Sequence, residues 1–504
     1  MTDESSSSPP EKTPEQQEVP LAYRAVRSGL WVTSASYWSI GFGFFANIVL
    51  TRMLTPDAYG DFALATFFFL LLQLRGKLSL PYAFAQLPEG DDAAMGTYVT
   101  VDVGLGITGL ALILLAAIPL LYLGYSTVVV GMTIVMAVVS VIESFGSVFV
   151  AVLSKHLWSK PGSVIYGISL PLSYIPAFWL ASIGKGSWSL IAQYVSMILI
   201  AHVGLWLFVL FSLRLTIRFE WKFKKDTMRR LVTFGGIVGL SAFIGTMGSQ
   251  VDNFYLGTFS STEALGFYDR AFRTAQWPTL LLSALIANSA YFTYSRLQSD
   301  SVRLQKTVSM MFWISANLAF PIALVLFISA PDLITAAYGE RWLPAAPLLR
   351  VLVIVSVIRP LWDNASALFT AVGQPSRTII MLSVQLVVLV IVGWPLTVLY
   401  GGMGTALAVC ISFFCGLIPL YLSLGRIIQP GTIMVYALPA LAAVLTVISY
   451  VLLTQFVQLD SINIWLRLAT KIVYTLVAFF GLMWLLQPRE TNQRLAYIVR
   501  LIRS

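Results

Sequence analysis

Residues Leu50–Ala65 read LTRMLTPDAYGDFALA, and residues Leu256–Ala271 read LGTFSSTEALGFYDRA. Laid over one another without a gap, Leu50 meets Leu256, Asp57 meets Glu263, Ala58 meets Ala264 and Gly60 meets Gly266. Each block predicts the end of one apolar helix, a short turn and the start of the next. The offset takes in six helices, an even number, so a duplication would run both halves in the same direction through one layer. The basic run RLTIRFEWKFKKDTMRR (214–230) falls where a linker between the halves belongs.

The layer is a lipid bilayer. Of the 504 residues 58% are hydrophobic and only 11% charged, and the mean hydropathy is +0.81. Soluble domains run nearer 45–50% apolar and about 25% charged. A crossing needs about 20 apolar residues. By that ruler the chain predicts an all-α polytopic membrane protein of about fourteen helices. They begin near Ser28, Tyr59, Gly96, Thr127, Gly162, Trp188, Leu231, Ala264, Thr307, Ala345, Ser376, Met403, Ile433 and Asn463.

The expected organisation is a disordered, Ser/Pro/Glu-rich tail over 1–27, a six-helix half over 28–211 and a basic linker over 212–230. A second six-helix half follows over 231–424, then two further helices within 425–486 and a tail over 487–504. The tail reads as a short amphipathic helix for an anionic leaflet. The N-terminal stretch is not a secretory signal, because its apolar run comes late, is long and lacks a small-residue cleavage site. Cytoplasmic loops retain Lys and Arg. With both termini inside, about 21 of the 32 basic residues fall on the cytoplasmic side and about 3 (Arg52, Lys185, Arg341) outside. Topology thus accounts for most of the +9 formal charge and removes the case for nucleic acid.

Cys410 and Cys415 share one apolar segment, and the two histidines are His156 and His202. Neither pattern predicts a disulfide frame, a metal site or a haem site. No phosphate-cradling GxxxxGK[ST] loop is present, so neither ATP hydrolysis nor a bound cofactor is expected.

The joint LTRMLTPDAYGDFALA, the stretch DNFYLGTFSSTEALGFYDRAFRTAQWP, and YGERWLPAAPLLRVL followed by LFTAVGQPSR resemble the Wzx-type oligosaccharide flippases. These belong to the same superfamily as murein-precursor flippases and MATE exporters. The resemblance covers the chain after its N-terminal tail. It implies two six-helix lobes facing each other across a central cavity, with two extra helices at the C-terminal end. It also implies transfer of undecaprenyl-pyrophosphate-linked oligosaccharide from the inner to the outer leaflet of a bacterial or archaeal cell membrane. Polysaccharide polymerase and glycosyltransferases are the protein partners this role implies.

An ionisable group within a span costs about 2.5–3.5 kcal/mol on the translocon scale, so it usually faces a cavity or a partner. The candidates are Arg75 and Lys77 in the second span, Asp102 and Glu143 in the third and fourth, and Asp252 in the seventh. Asp269, Arg270 and Arg273 open the eighth span, and Arg359 and Asp363 lie in the tenth. Asp269 with Arg273, and Arg359 with Asp363, sit four apart and can neutralise each other on one helical face. Arg75 and Lys77 can instead snorkel to the interface, as can Arg270. The functional reading sets Arg75, Lys77, Arg270, Arg273 and Arg359 around a cavity where guanidinium groups replace the hydration of a pyrophosphate. The carboxylates then couple or pair. Tyr37, Trp38, Tyr268, Trp277 and Trp362 are candidates to stack on sugar rings, although aromatics in spans more often pack or form interfacial belts.

Three other classes compete. A MATE-like exporter of organic cations driven by H⁺ or Na⁺ would favour a net acidic cavity, which the basic residues in the spans oppose. A polytopic polymerase, ligase or glycosyltransferase would be expected to carry a sizeable catalytic segment outside the membrane, and the longest external gap is under about 20 residues. A pure scaffold makes no use of the buried charge.

Overall fold

The computed structural model describes residues 21–73, 78–85, 87, 91–155, 158–212, 223–427, 435–457 and 462–488. The helices are α1 (Leu21–Met53), α2 (Pro56–Leu72), α3 (Leu80–Ala85), α4 (Asp91–Tyr122), α5 (Thr127–Lys155), α6 (Ser159–Ser182), α7 (Ser187–Ser212) and α8 (Lys225–Gly248). They continue as α9 (Val251–Phe259), α10 (Thr262–Ala275), α11 (Trp277–Leu297), α12 (Ser301–Tyr338), α13 (Ala345–Ala371), α14 (Ser376–Leu424), α15 (Ala437–Phe456) and α16 (Ile464–Leu486). Among the described residues nine helices are long and apolar enough to cross a membrane. Large apolar side chains such as Leu115, Ile118 and Leu123 stand exposed on and just after α4, a surface suited to lipid and not to water.

Local chemistry sets the boundaries. Pro56 opens α2, a position where its missing N–H would have had no intrahelical partner. At the equivalent joint Ser261 caps α10, its hydroxyl accepting from the backbone N–H of Ala264 at 3.1 Å. Asp300 caps α12 and Asn463 caps α16 in the same way. Gly339, at φ 98°, ends α12, since that backbone geometry is open to glycine and strained for other residues.

The 49 residues of α14 would run about 74 Å if straight, more than twice a hydrocarbon core of about 30 Å. They do not run straight. Gly401 takes φ 55° and ψ −134°, and the Thr397 and Thr405 hydroxyls meet at 2.8 Å. Residues eight apart in a continuous helix would be about 12 Å apart. Arg377 Nη1 donates to the Ser423 carbonyl at 2.6 Å, bringing the two ends of the segment together. The segment is a hairpin, so the spans expected near Ser376 and Met403 are its two arms.

Two expected spans are not continuous. The one expected from Leu231 breaks at Ser249–Gln250 into α8 and α9, and the one expected from Ala264 breaks at Gln276 into α10 and α11. Gly248 precedes the first break, and Pro278 near the start of α11 follows the second; proline has no N–H to extend the preceding helix.

The largest core joins α1 and α2 to α9, α10 and the turn before α13: Leu50, Leu54, Tyr59 and Leu64 pack with Leu256, Leu265, Tyr268 and Trp342.

Candidate functional site

The two quoted joints cross each other. A methyl group on Gly60 would run into the carbonyl of Thr262, and one on Gly266 would run into the carbonyl of Pro56. Thr262 and Pro56 occupy equivalent places in the aligned blocks, so the contact is reciprocal. The two turns therefore lie together at one end of the molecule, with α2 and α10 at backbone contact.

Beneath this crossing lies a polar network. Arg270 is buried, with 3% of its surface exposed. Its Nη2 donates to Asp269 Oδ2 at 2.5 Å and its Nη1 to Asn47 Oδ1 at 2.7 Å. Its guanidinium carbon lies 3.9 Å from the Tyr59 ring centre, a stacked cation–π contact. Tyr59 OH is 3.0 Å from Thr51 Oγ1, and the Trp342 indole N–H donates to the Thr51 carbonyl at 3.1 Å. Arg52 Nε donates to the Ala337 carbonyl at 2.8 Å. Asn47, Thr51 and Arg52 lie on α1 and Tyr59 on α2; Asp269 and Arg270 lie on α10, Ala337 on α12 and Trp342 in the turn before α13. Cation, carboxylate, amide and aromatic face together tie these helices at this end.

This geometry corrects the expectation for Arg270. All its charge is committed to protein partners, so in this conformation it is a fastener between α10 and the first two helices and not a cavity cation. Arg273 differs. It shares Asp269, with Nε to Oδ1 at 2.9 Å, while 57% of its side chain stays exposed. Asp269 thus pairs with Arg273 within one helix, as its spacing predicted, and serves two cations.

Arg359 and Asp363 pair at 3.3 Å with side-chain exposures of 50% and 28%. At about 100° per residue, Arg359, Asp363, Ser366 and Thr370 fall on one side of α13. The other side presents Ile354, Val357, Ile358 and Leu361 to an apolar groove of about 990 Å³ shared with α12, the end of α14 and α15. One helix therefore separates an apolar groove from a polar wall carrying an accessible guanidinium.

The carboxylates proposed for coupling are engaged. Asp102 is buried and accepts from the Ser147 hydroxyl. Asp252 is buried and accepts from Tyr268 OH at 2.5 Å. Glu143 is half-buried on α5. Arg75 and Lys77 lie outside the described residues.

The aromatic candidates divide. Tyr268 and Trp362 are buried, Trp362 with its ring centre 5.3 Å from Phe413, and neither offers a face to a sugar. Trp277 packs on Phe44 at 4.7 Å. Tyr37 and Trp38 stay open at 42% and 52%, with the Trp38 indole N–H donating to the Gly167 carbonyl.

Sequence reading passed over Asn47 and Tyr59 because neither carries charge. It also missed Asp332, buried on α12 between Arg467 at 2.7 Å and Lys471 at 2.5 Å, both on α16. Its signal was an isolated carboxylate in one apolar run and two cations four apart in another.

A family model described as "Polysaccharide biosynthesis protein" matches residues 49–347. Teichuronic acid biosynthesis protein TuaB of Bacillus subtilis (strain 168) is 27% identical over 147 residues, 29% of this chain and 30% of that protein, so the match spans less than a third of that relative. Lipopolysaccharide biosynthesis protein WzxC of Escherichia coli (strain K12) is 20% identical over 357 residues, 70% of each chain. Among solved structures, the lipid II flippase MurJ in an inward closed conformation superposes with a TM-score of 0.70 at 14% identity, covering 92% of this chain and 100% of that one. That likeness is one of fold.

Proposed function

Because the chain belongs to the polysaccharide biosynthesis protein family, whose model takes in more than half of it, we propose that it flips a lipid-linked oligosaccharide across the cytoplasmic membrane. Transfer runs from the inner to the outer leaflet by alternating access of its two halves, without making or breaking covalent bonds. The end where Gly60 and Gly266 cross faces outward, and both termini lie in the cytoplasm. The two halves follow the boundaries expected from the sequence, 28–211 and 231–424, with the last two helices beside the second.

The observation that carries this reading is the two-sided character of α13. Its accessible Arg359 suits a pyrophosphate, while its opposite face lines a groove apolar enough for a hydrocarbon tail. An anionic head joined to a long tail is the ligand class that matches both sides of one helix. Arg273 supplies a second accessible guanidinium from α10. A cation exporter would instead want free carboxylates, and Asp102, Asp252 and Asp269 are all held by partners. The enzymes that build and polymerise the glycan are the protein partners this role calls for.

The test is leaflet transfer. Purified full-length chain is placed in proteoliposomes with a labelled undecaprenyl-pyrophosphate oligosaccharide, and an external glycosidase reports which leaflet the label occupies. Label transferred only when the chain is present supports the reading. Absence of transfer in vesicles that instead move an organic cation overturns it. Orientation is read in intact cells lacking Cys410 and Cys415. Ser261→Cys should react with an impermeant maleimide from outside, and Lys225→Cys only after lysis.

A further inference from the structure

A cavity of about 500 Å³ lies between α1, α5, α6 and α7. It sits at the start of α6 and near the ends of α5 and α7, away from the crossing joints. Its size falls within the about 300–1,000 Å³ of small-molecule sites. None of its lining residues is charged, which disfavours phosphate or a metal ion, since a charge there would lack a counter-charge in a low-dielectric setting. What lines it is hydroxyl and ring: Ser36, Ser39, Ser154, Ser159 and Ser163, with Trp158 and Tyr166.

The serines are not alike. A helical serine commonly bonds back to the carbonyl one turn earlier, as Ser36 does to Val32 at 2.8 Å and Ser169 to Ile165 at 2.7 Å. Ser159 meets Ser28 at 2.5 Å. Among the described residues no protein group pairs with the hydroxyls of Ser39, Ser154 or Ser163, and all three side chains are half-buried or exposed. Each offers one donor and two acceptor positions to whatever enters. They come from three different helices and face a shared volume beside an indole that is 42% exposed. Hydroxyls that donate and accept, set next to an aromatic ring, match vicinal hydroxyls on one side of a ring and C–H groups on its face.

We propose that this cavity is a saccharide subsite: it takes a neutral pyranose unit of the transported glycan, held by the Ser39, Ser154 and Ser163 hydroxyls against Trp158. The glycan as natural ligand rests on the flippase reading, whereas recognition of the sugar itself stands on the cavity. The subsite separates two tasks within the molecule. Guanidinium groups hold the anionic link common to all such lipids, and the hydroxyl pocket reads the sugar.

The experiment uses the full chain in nanodiscs of phosphatidylethanolamine and phosphatidylglycerol. Saturation-transfer difference NMR probes methyl glycosides of glucose, galactose and N-acetylglucosamine, with glycerol as a ringless polyol. At least one glycoside should show saturation transfer and glycerol should not. The Ser39→Ala/Ser163→Ala double variant should bind about tenfold more weakly, since two hydrogen bonds are lost, while keeping its fold because alanine suits a helix best. Ser169→Ala, which removes a hydroxyl bonded back to Ile165 on the same helix but outside the cavity, should bind as the unaltered chain does. No transfer to any glycoside, or equal binding by the double variant, overturns the subsite. So does a loss in Ser169→Ala as large as in the double variant. Leaflet transfer of the lipid-linked oligosaccharide without glycoside binding would sink the subsite and leave the flippase reading standing. Hydroxyl-dependent glycoside binding without leaflet transfer would do the reverse.

Discussion

Gly60 and Gly266 each press a bare α-carbon against the other's joint, Gly60 on the Thr262 carbonyl and Gly266 on the Pro56 carbonyl. The obstacle in each case is backbone, which cannot swing aside as a side-chain tip can. Alanine at either position should therefore hold the joints apart, with overpacking of about 1–3 kcal/mol acting against the closed arrangement. Spin labels at Thr55→Cys and Ser261→Cys, both exposed, in a chain without its two cysteines, should report a longer mean distance in Gly60→Ala and Gly266→Ala. An unchanged distance distribution would show that the crossing does not set the closed state.

Arg270 and Arg273 stand three residues apart and should fail differently. Removing Arg270 leaves Asp269 buried and deprives Asn47 and Tyr59 of their partner on α10. Asp269 keeps Arg273, so the loss is that of the charge-assisted bonds and ring contact Arg270 made, about 1.5–3 kcal/mol, and Arg270→Ala should lower thermal stability in detergent and the yield of folded protein. Arg270→Lys should recover little, because an ammonium cannot serve a carboxylate, an amide and a ring face with one planar group. Arg273 is the open partner of its pair, and Asp269 keeps Arg270 when Arg273 is removed, so its loss costs about 0.2–1 kcal/mol. Arg273→Ala should keep its yield and melting temperature while losing leaflet transfer. Equal losses of stability in the two alanine variants would contradict this division.

How far the sequence reached can be judged at these same residues. The two joints were legible because they are local: proline, a capping serine and paired glycines announce a turn whatever surrounds them. The i, i+4 pairs were legible for the same reason, and Asp269–Arg273 and Arg359–Asp363 both form. Arg270 was misjudged because its fate depends on Asn47, 223 residues away, and an uncharged amide gives no signal to a search for charge. The breaks at 249–250 and 276 interrupt apolar stretches, where hydropathy records the crossing and not the geometry within it. The polar face of α13 needed the fold, since only packing shows which side of a helix stays open.

Asp332 supplies a second fastener, from α12 to α16. One carboxylate between two cations leaves it protected against loss of either one alone. Lys471→Met and Arg467→Met should each be tolerated, with the remaining cation holding Asp332. The double variant strands a buried carboxylate, at about 3–5 kcal/mol, and should loosen α16. Hydrogen exchange across Ile464–Leu486 reports the effect: near-normal protection in both single variants and a clear fall in the double. Additive losses from the two single variants would mean that Arg467 and Lys471 do not substitute for one another.

The accessible face of α13 carries the last prediction. Arg359 is half exposed and paired at 3.3 Å to Asp363, which is itself partly open. A contact that long and that wet holds the side chain in place without consuming its charge, so a phosphate reaching this face of α13 can take over part of the guanidinium. A charge-assisted hydrogen bond of this kind is worth about 1.5–3 kcal/mol. Arg359→Ala should weaken recognition of the lipid-linked substrate by about one to two decades without loss of folded protein. Arg359→Lys should restore only part of it, as a point charge lacks the two-pronged geometry. Asp363→Asn removes the competing carboxylate and should leave substrate affinity equal or higher. Affinity can be measured by binding of a short-chain polyprenyl pyrophosphate to the full chain in nanodiscs. Should Arg359→Ala bind that probe as tightly as the unaltered chain, α13 would be a structural wall and the anionic group would have to be held elsewhere.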